Sequence, residues 1–128
     1  MITISRLIIK PSFNTPFIEF DPQIGSLTII GQSHPEDPEE FYRDLFHAIQ
    51  DYCLNPKIKT RVIINLEYFN TGTSQVIFNI FRKLESIVDE KREVTVEWQY
   101  ENDDDDMLDA GILLSEISKL KFSMVAMH

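Results

Sequence analysis

Apolar positions along this chain alternate between two periods. Leu7, Ile8 and Ile9 form a short apolar run, and Pro16-Phe17-Ile18-Glu19-Phe20 and Ser26-Leu27-Thr28-Ile29-Ile30 flank a turn at Asp21-Pro22-Gln23-Ile24-Gly25. Two β-rich runs around a Pro/Gly turn predict a hairpin, which Gly31 ends. From Asp37 the period becomes helical. Asp37 suits an N-cap, Pro38 the first helical position and Glu40 the carboxylate of a capping box. Phe41, Leu45, Ala48, Ile49 and Tyr52 make one stripe, and Asn55-Pro56 closes the segment.

Residues 61–69 form the strongest strand pattern. Val62, Ile63 and Ile64 are apolar in succession, which predicts a central strand covered on both faces. Asn70-Thr71-Gly72-Thr73-Ser74 interrupts it. A second helix follows, with Val76, Ile77, Ile80, Phe81, Leu84, Ile87 and Val88 as its apolar stripe. In 93–100, Val94, Val96 and Trp98 alternate with Thr95, Glu97 and Gln99, a strand with one wetter face. A third helix is predicted from Met107 to about Lys121, and 122–127 closes as a last strand.

The order βββ-αβ-αβ-αβ implies parallel crossovers and an α/β layer architecture. It predicts one domain over residues 1–128, with about three helices on a mixed sheet of four to six strands. An exposed edge strand near Leu7 or Met124 could pair with a second copy, so a monomer or weak dimer is expected.

Composition narrows the classes. With 43% hydrophobic and 26% charged residues in 128, the chain is neither a disordered tail nor a rod. Twelve basic against 21 acidic residues, a net charge of −9, disfavour nucleic acid and anionic membranes. The single Cys53 makes no internal disulfide and reads as a small buried hydrophobe. No leader or membrane span is visible, and a cytoplasmic setting is expected.

Catalytic constellations are missing from the pattern. His34 lies in a loop, His47 within a helix and His128 at the end, none with a metal-ligand neighbour at the usual spacing. There is no phosphate-cradling glycine loop and no nucleophile elbow. An enzyme is not expected, nor a cofactor or bound metal. Six carboxylates fall between Glu101 and Asp109 with no basic residue among them. From Asp103 the calcium-loop spacing fails, because positions five, six and twelve are Met107, Leu108 and Leu114. Three readings stay open for Asp103, Asp104, Asp105 and Asp106: a solvated loop that favours a helix N-terminus, a docking surface for a basic partner, or a metal- or ligand-binding loop.

Thr71 stands at the mouth of the second helix, and Asn70 or Thr71 would be its N-cap. A helix N-terminus has free backbone N–H groups and a positive dipole end, so a hydroxyl there accepts a phosphoryl group without melting the helix. The phosphate adds about −1.5 to −2 charges, and a partner packed on this ridge then meets a dianion. The contact face beyond it includes Asn70, Gln75, Phe78 and Asn79. Phe78 lies off the main stripe, either exposed for contact or buried at the core edge.

Tyr68-Phe69-Asn70-Thr71, Glu97-Trp98-Gln99-Tyr100, the Asp103 to Met107 run and Gly31-Gln32-Ser33-His34-Pro35-Glu36 together resemble the SiaC family of bacterial regulatory phosphoproteins. The resemblance covers nearly the whole chain. It implies a STAS-like fold, similar to anti-anti-sigma factors. It further implies a non-enzymatic switch in cyclic di-GMP signalling. A serine/threonine kinase would phosphorylate Thr71, a metal-dependent phosphatase would reverse this, and the unphosphorylated protein would bind and activate a diguanylate cyclase. The family's Asn-Thr-Ser-Ser reads Asn70-Thr71-Gly72-Thr73 here, followed by Ser74, which leaves Thr73 and Ser74 as alternative acceptors. The rivals are the acidic ligand-binding protein above and a constitutive adaptor whose Thr71 never turns over.

Overall fold

The computed structural model describes residues 5–128. Residues 1–4, part of the stretch read as lacking a leader, lie outside the described residues. The elements follow the expected order: β1 (Leu7–Ile9), β2 (Phe17–Asp21), β3 (Ser26–Ser33), α1 (Pro38–Tyr52), β4 (Lys59–Phe69), α2 (Thr71–Glu85), β5 (Glu93–Glu101), α3 (Asp105–Ile117) and β6 (Lys121–Met127). The six strands form one mixed sheet in the order β1-β2-β3-β4-β5-β6. The first three pair antiparallel, and β3 through β6 are parallel. β1 and β6 are the two edges, as the expected edge strands near Leu7 and Met124 require.

Sequential strand order has a consequence for the layers. Each parallel crossover steps in the same direction, and right-handed crossovers that do so deliver their helices to one face. Ile18, Phe20, Leu27, Ile29, Val62, Ile64, Leu66, Val94, Val96 and Trp98 are buried on that face. All three helices reach it: Tyr42 of α1 and Thr73 of α2 bond to Ser33, and Gly111 of α3 lies against Trp98.

The other face is uncovered, which corrects the expectation drawn from Val62-Ile63-Ile64. Ile63 is only half-buried, among Glu19, Thr28, Asn65, Thr95, Glu97 and Gln99, and Ile30 is exposed. Asn65 Nδ2 donates to Gln99 Oε1 at 3.0 Å and Gln99 donates to Glu97, so polar side chains finish this surface. An apolar triplet in a parallel strand reads as two-sided burial, but one isoleucine among polar cross-strand neighbours needs no second layer.

Helix boundaries shift for local reasons. Asp37 Oδ1 accepts from Glu40 N at 3.2 Å, the expected cap of α1. Tyr42 rather than Phe41 leads the buried face of α1. α2 ends at Glu85 and is capped by Ser86, so Val88 lies beyond the helix and is exposed. α3 starts at Asp105 instead of Met107, because Asp104 Oδ1 caps it by accepting from Met107 N at 3.0 Å. It stops at Ile117, where Ser118 turns extended, and Glu85 Oε2 accepts from Lys119 N at 3.1 Å. Cys53 is half-buried, and burial raises its thiol pKa against the opposing pull of Lys83.

Candidate functional site

The carboxyl ends of β3, β4 and β5 meet the amino ends of α1, α2 and α3 at one end of the molecule. Thr71 lies there, as the first residue of α2, and is exposed. Of the two N-cap candidates, Asn70 does the capping. Its backbone is extended (φ −83°, ψ 171°), and its Oδ1 accepts from Thr73 N at 2.9 Å. The amide nitrogen of the same side chain donates to Pro35 O at 3.1 Å, and Asn70 N donates to Ser33 O at 2.9 Å. Serine or aspartate could cap, but neither could also make the amide bond to Pro35. The Thr71 hydroxyl therefore has no part in closing the helix.

Thr73, two positions on, has the opposite placement. It is 0% exposed, and its hydroxyl lies 2.9 Å from Ser33 Oγ and donates to Ser33 O at 3.2 Å. Ser33 Oγ also lies 2.7 Å from the Tyr42 hydroxyl. Each hydroxyl has one proton, and Thr73 gives its own to the Ser33 carbonyl. Ser33 then donates to Thr73, and Tyr42 donates to Ser33. Burial pushes the Tyr42 phenol up to about 12. Sequence reasoning missed Ser33 and Tyr42 as parts of this network, although Tyr42 stands three residues before Leu45 and seven before Ile49, a register that could have flagged it. The burial of Thr73 sets it apart from the acceptor role considered from sequence: its oxygen is sealed and fully bonded. Ser74 is half-buried beside the α2–α3 groove.

Gly72 is explained by its neighbour. A Cβ at this position would stand 2.7 Å from Pro38 Cγ, so the first turns of α1 and α2 touch through the glycine. Gly72 thus permits a close approach of the two helices.

Beyond Thr71, Gln75 and Asn79 are exposed and Phe78 is half-buried. Phe78 packs against the core while the Arg82 guanidinium lies 5.6 Å from its ring centre, so both readings of Phe78 meet in one side chain. Gln75, Phe78 and Asn79 all line a groove between α2 and α3. Asn70 is apart from them, with its amide turned inward. Among the described residues, no three His, Cys, Asp or Glu side chains converge as metal ligands would. Asp104 caps α3, and Asp105 and Asp106 occupy its first turn, where the helix dipole favours them. Among the described residues no helix is long and apolar enough to cross a membrane.

The chain thus combines a six-stranded mixed sheet, one layer of helices and an exposed threonine at the mouth of α2. The profile of the SiaC family of regulatory phosphoproteins matches residues 9–127, and the chain belongs to that family. An uncharacterized protein of Pseudomonas aeruginosa (strain UCBPP-PA14) is 27% identical over 97 residues, which span 76% of this chain and 77% of that protein. The fold is shared with solved structures. Apo-SiaC from Pseudomonas aeruginosa superposes at a TM-score of 0.86, with 24% identity over 95% of this chain and 99% of that one. A chain in the crystal structure of the diguanylate cyclase SiaD in complex with its activator SiaC, also from Pseudomonas aeruginosa, reaches 0.88, with 23% identity over 94% and 99%.

Proposed function

We propose that the chain is a non-enzymatic switch whose partner binding is set by phosphorylation of Thr71. The observation that carries this reading is the division of labour at the start of α2. Asn70 closes the helix, Thr73 anchors it inside, and Thr71 is left in solvent beside free backbone N–H groups. A phosphate there changes the surface and leaves the packing alone.

Unphosphorylated, the chain binds an effector through Gln75, Phe78 and Asn79 on the α2 ridge, with Asn70 setting the ridge's angle. The SiaC–SiaD complex supports a diguanylate cyclase as that effector, and hence a place in cyclic di-GMP signalling. A serine/threonine kinase adds the phosphate and a metal-dependent phosphatase removes it. Both belong to the cytoplasm in this reading, and the chain acts as one domain.

Thr71→Ala and Thr71→Glu proteins serve as baits against extracts of the source cells, with phosphopeptide mass spectrometry on the native protein. The expected result is a diguanylate cyclase retained by Thr71→Ala and lost from Thr71→Glu, with phosphate mapped to Thr71. Equal retention by both baits, or phosphate found only at Ser74, overturns the assignment.

A further inference from the structure

The α2–α3 groove has a volume of about 470 Å³, and Phe69, Phe78, Leu113 and Ile117 form its apolar lining. Leu113 and Ile117 are 59% and 51% exposed, so α3 presents more apolar surface than the core uses. A second hollow of about 310 Å³ adjoins the groove and shares Phe69 and Ala110 with it. Glu67, Asp104 and Asp106 line this hollow. No lysine or arginine occurs in residues 62–81 or 93–118, so the segments that build the hollow carry no cation to neutralise it. The groove therefore has an apolar α3 wall and floor, Ser74, Gln75 and Asn79 on its α2 side, and an anionic end nearest β4, while Arg82 beside Phe78 marks the α2 side lower down.

From this continuity we infer that the groove seats an amphipathic helix of the partner, its apolar ridge on Leu113, Ile117 and Phe78, and a basic side chain at one end in the Glu67–Asp104–Asp106 hollow. Two neighbouring helices leave a trough that a third helix fills by packing its ridge between them. The acidic hollow selects an arginine or lysine and fixes which end of the incoming helix points toward the sheet. Ser74 and Gln75 line the groove one turn beyond Thr71, so a phosphate on Thr71 stands near its rim. The inference rests on the reading of the chain as a partner-binding protein and adds the chemistry of what it binds.

Two synthetic helical peptides of about 18 residues, roughly five turns, test it. Both have leucines at i, i+3, i+4 and i+7. One ends in two arginines and the other in two glutamates. Fluorescence anisotropy should show the arginine peptide binding the full chain at least about tenfold more tightly. Leu113→Glu, at an exposed position, should abolish binding without lowering the melting temperature. The double variant Glu67→Lys/Asp106→Lys should reverse the preference between peptides. Equal binding of the two peptides, no binding of either, or binding that survives Leu113→Glu overturns the proposal. So does self-association of the chain that Leu113→Glu abolishes, since the face would then belong to a second copy. Thr71→Glu in the same assay separates the two readings. If the arginine peptide binds it unchanged, the groove stands and the switch falls. If Thr71→Glu blocks binding but Leu113→Glu does not, the switch stands and the groove falls.

Discussion

The hydroxyls of Ser33 and Thr73 meet at 2.9 Å in the interior, across a separation of 40 residues in the chain. This contact ties the first turn of α2 to the end of β3, and it holds Thr71 at a constant position in front of the sheet. Thr73→Val keeps the shape and removes the hydroxyl, which leaves the buried Ser33 hydroxyl without its acceptor, while Ser33 O keeps its bond from Asn70 N. The expected loss is about 1–3 kcal/mol in denaturant unfolding. Thr71→Val, on the exposed side of the same turn, should stay within about 0.5 kcal/mol of the parent.

Pro38 and Gly72 form a matched pair. Alanine is a better helix former than glycine by about 1 kcal/mol, so Gly72→Ala in an open helix would stabilise. Here the added methyl meets the rigid pyrrolidine ring. Overpacking of this kind costs about 1–3 kcal/mol, and Gly72→Ala is expected to lower the melting temperature. Pro38→Ala in the same protein should recover most of the loss. Two single-variant effects that simply add would refute the contact.

Trp98 anchors α3. It is 0% exposed, its indole N–H donates to Met107 O at 2.9 Å, and its ring meets Phe69 edge-on at 6.2 Å. A Cβ on Gly111 would stand 2.6 Å from the indole nitrogen. Gly111→Ala should therefore push α3 off the sheet, destabilise by about 1–3 kcal/mol and shift the tryptophan emission to the red.

Tyr42 predicts a dependence on alkaline pH. Its phenol titrates at 10.0 ordinarily and is pushed up to about 12 by burial in the folded chain. Between these values the unfolded chain gives up the proton and the native state keeps it. The contribution is complete below pH about 10 and falls as pH rises, by about 1.4 kcal/mol per unit, until the native phenol ionises. Unfolding curves from pH 9 to 12 should lose this component in Tyr42→Phe (roughly the window of the two values). An unchanged slope in that variant would place the ionisation elsewhere.

The order of the elements could be read from sequence because each has its own local signal. Asp37-Pro38 starts α1 through a cap that needs no distant partner, and Val94, Val96 and Trp98 show the two-residue period of a strand whatever lies above them. The opening of α2 at Asn70-Thr71 was legible for the same reason. Ile63 misled because an apolar side chain in a strand carries no record of whether a second layer covers it. The layer count depends on strand order, and strand order is set by contacts between segments.

The same division runs through the site. Sequence alone determined that a strand ends, a helix begins and hydroxyls cluster at their junction, since capping and periodicity act within a few residues. Only the tertiary structure decided which hydroxyl faces water. Thr71 and Thr73 are two residues apart, and a helix turns about 200° over that distance, so one points away from the sheet when the other points in. Which of them points in was decided by Ser33 and Tyr42, brought to Thr73 from β3 and α1 by the packing of the whole sheet.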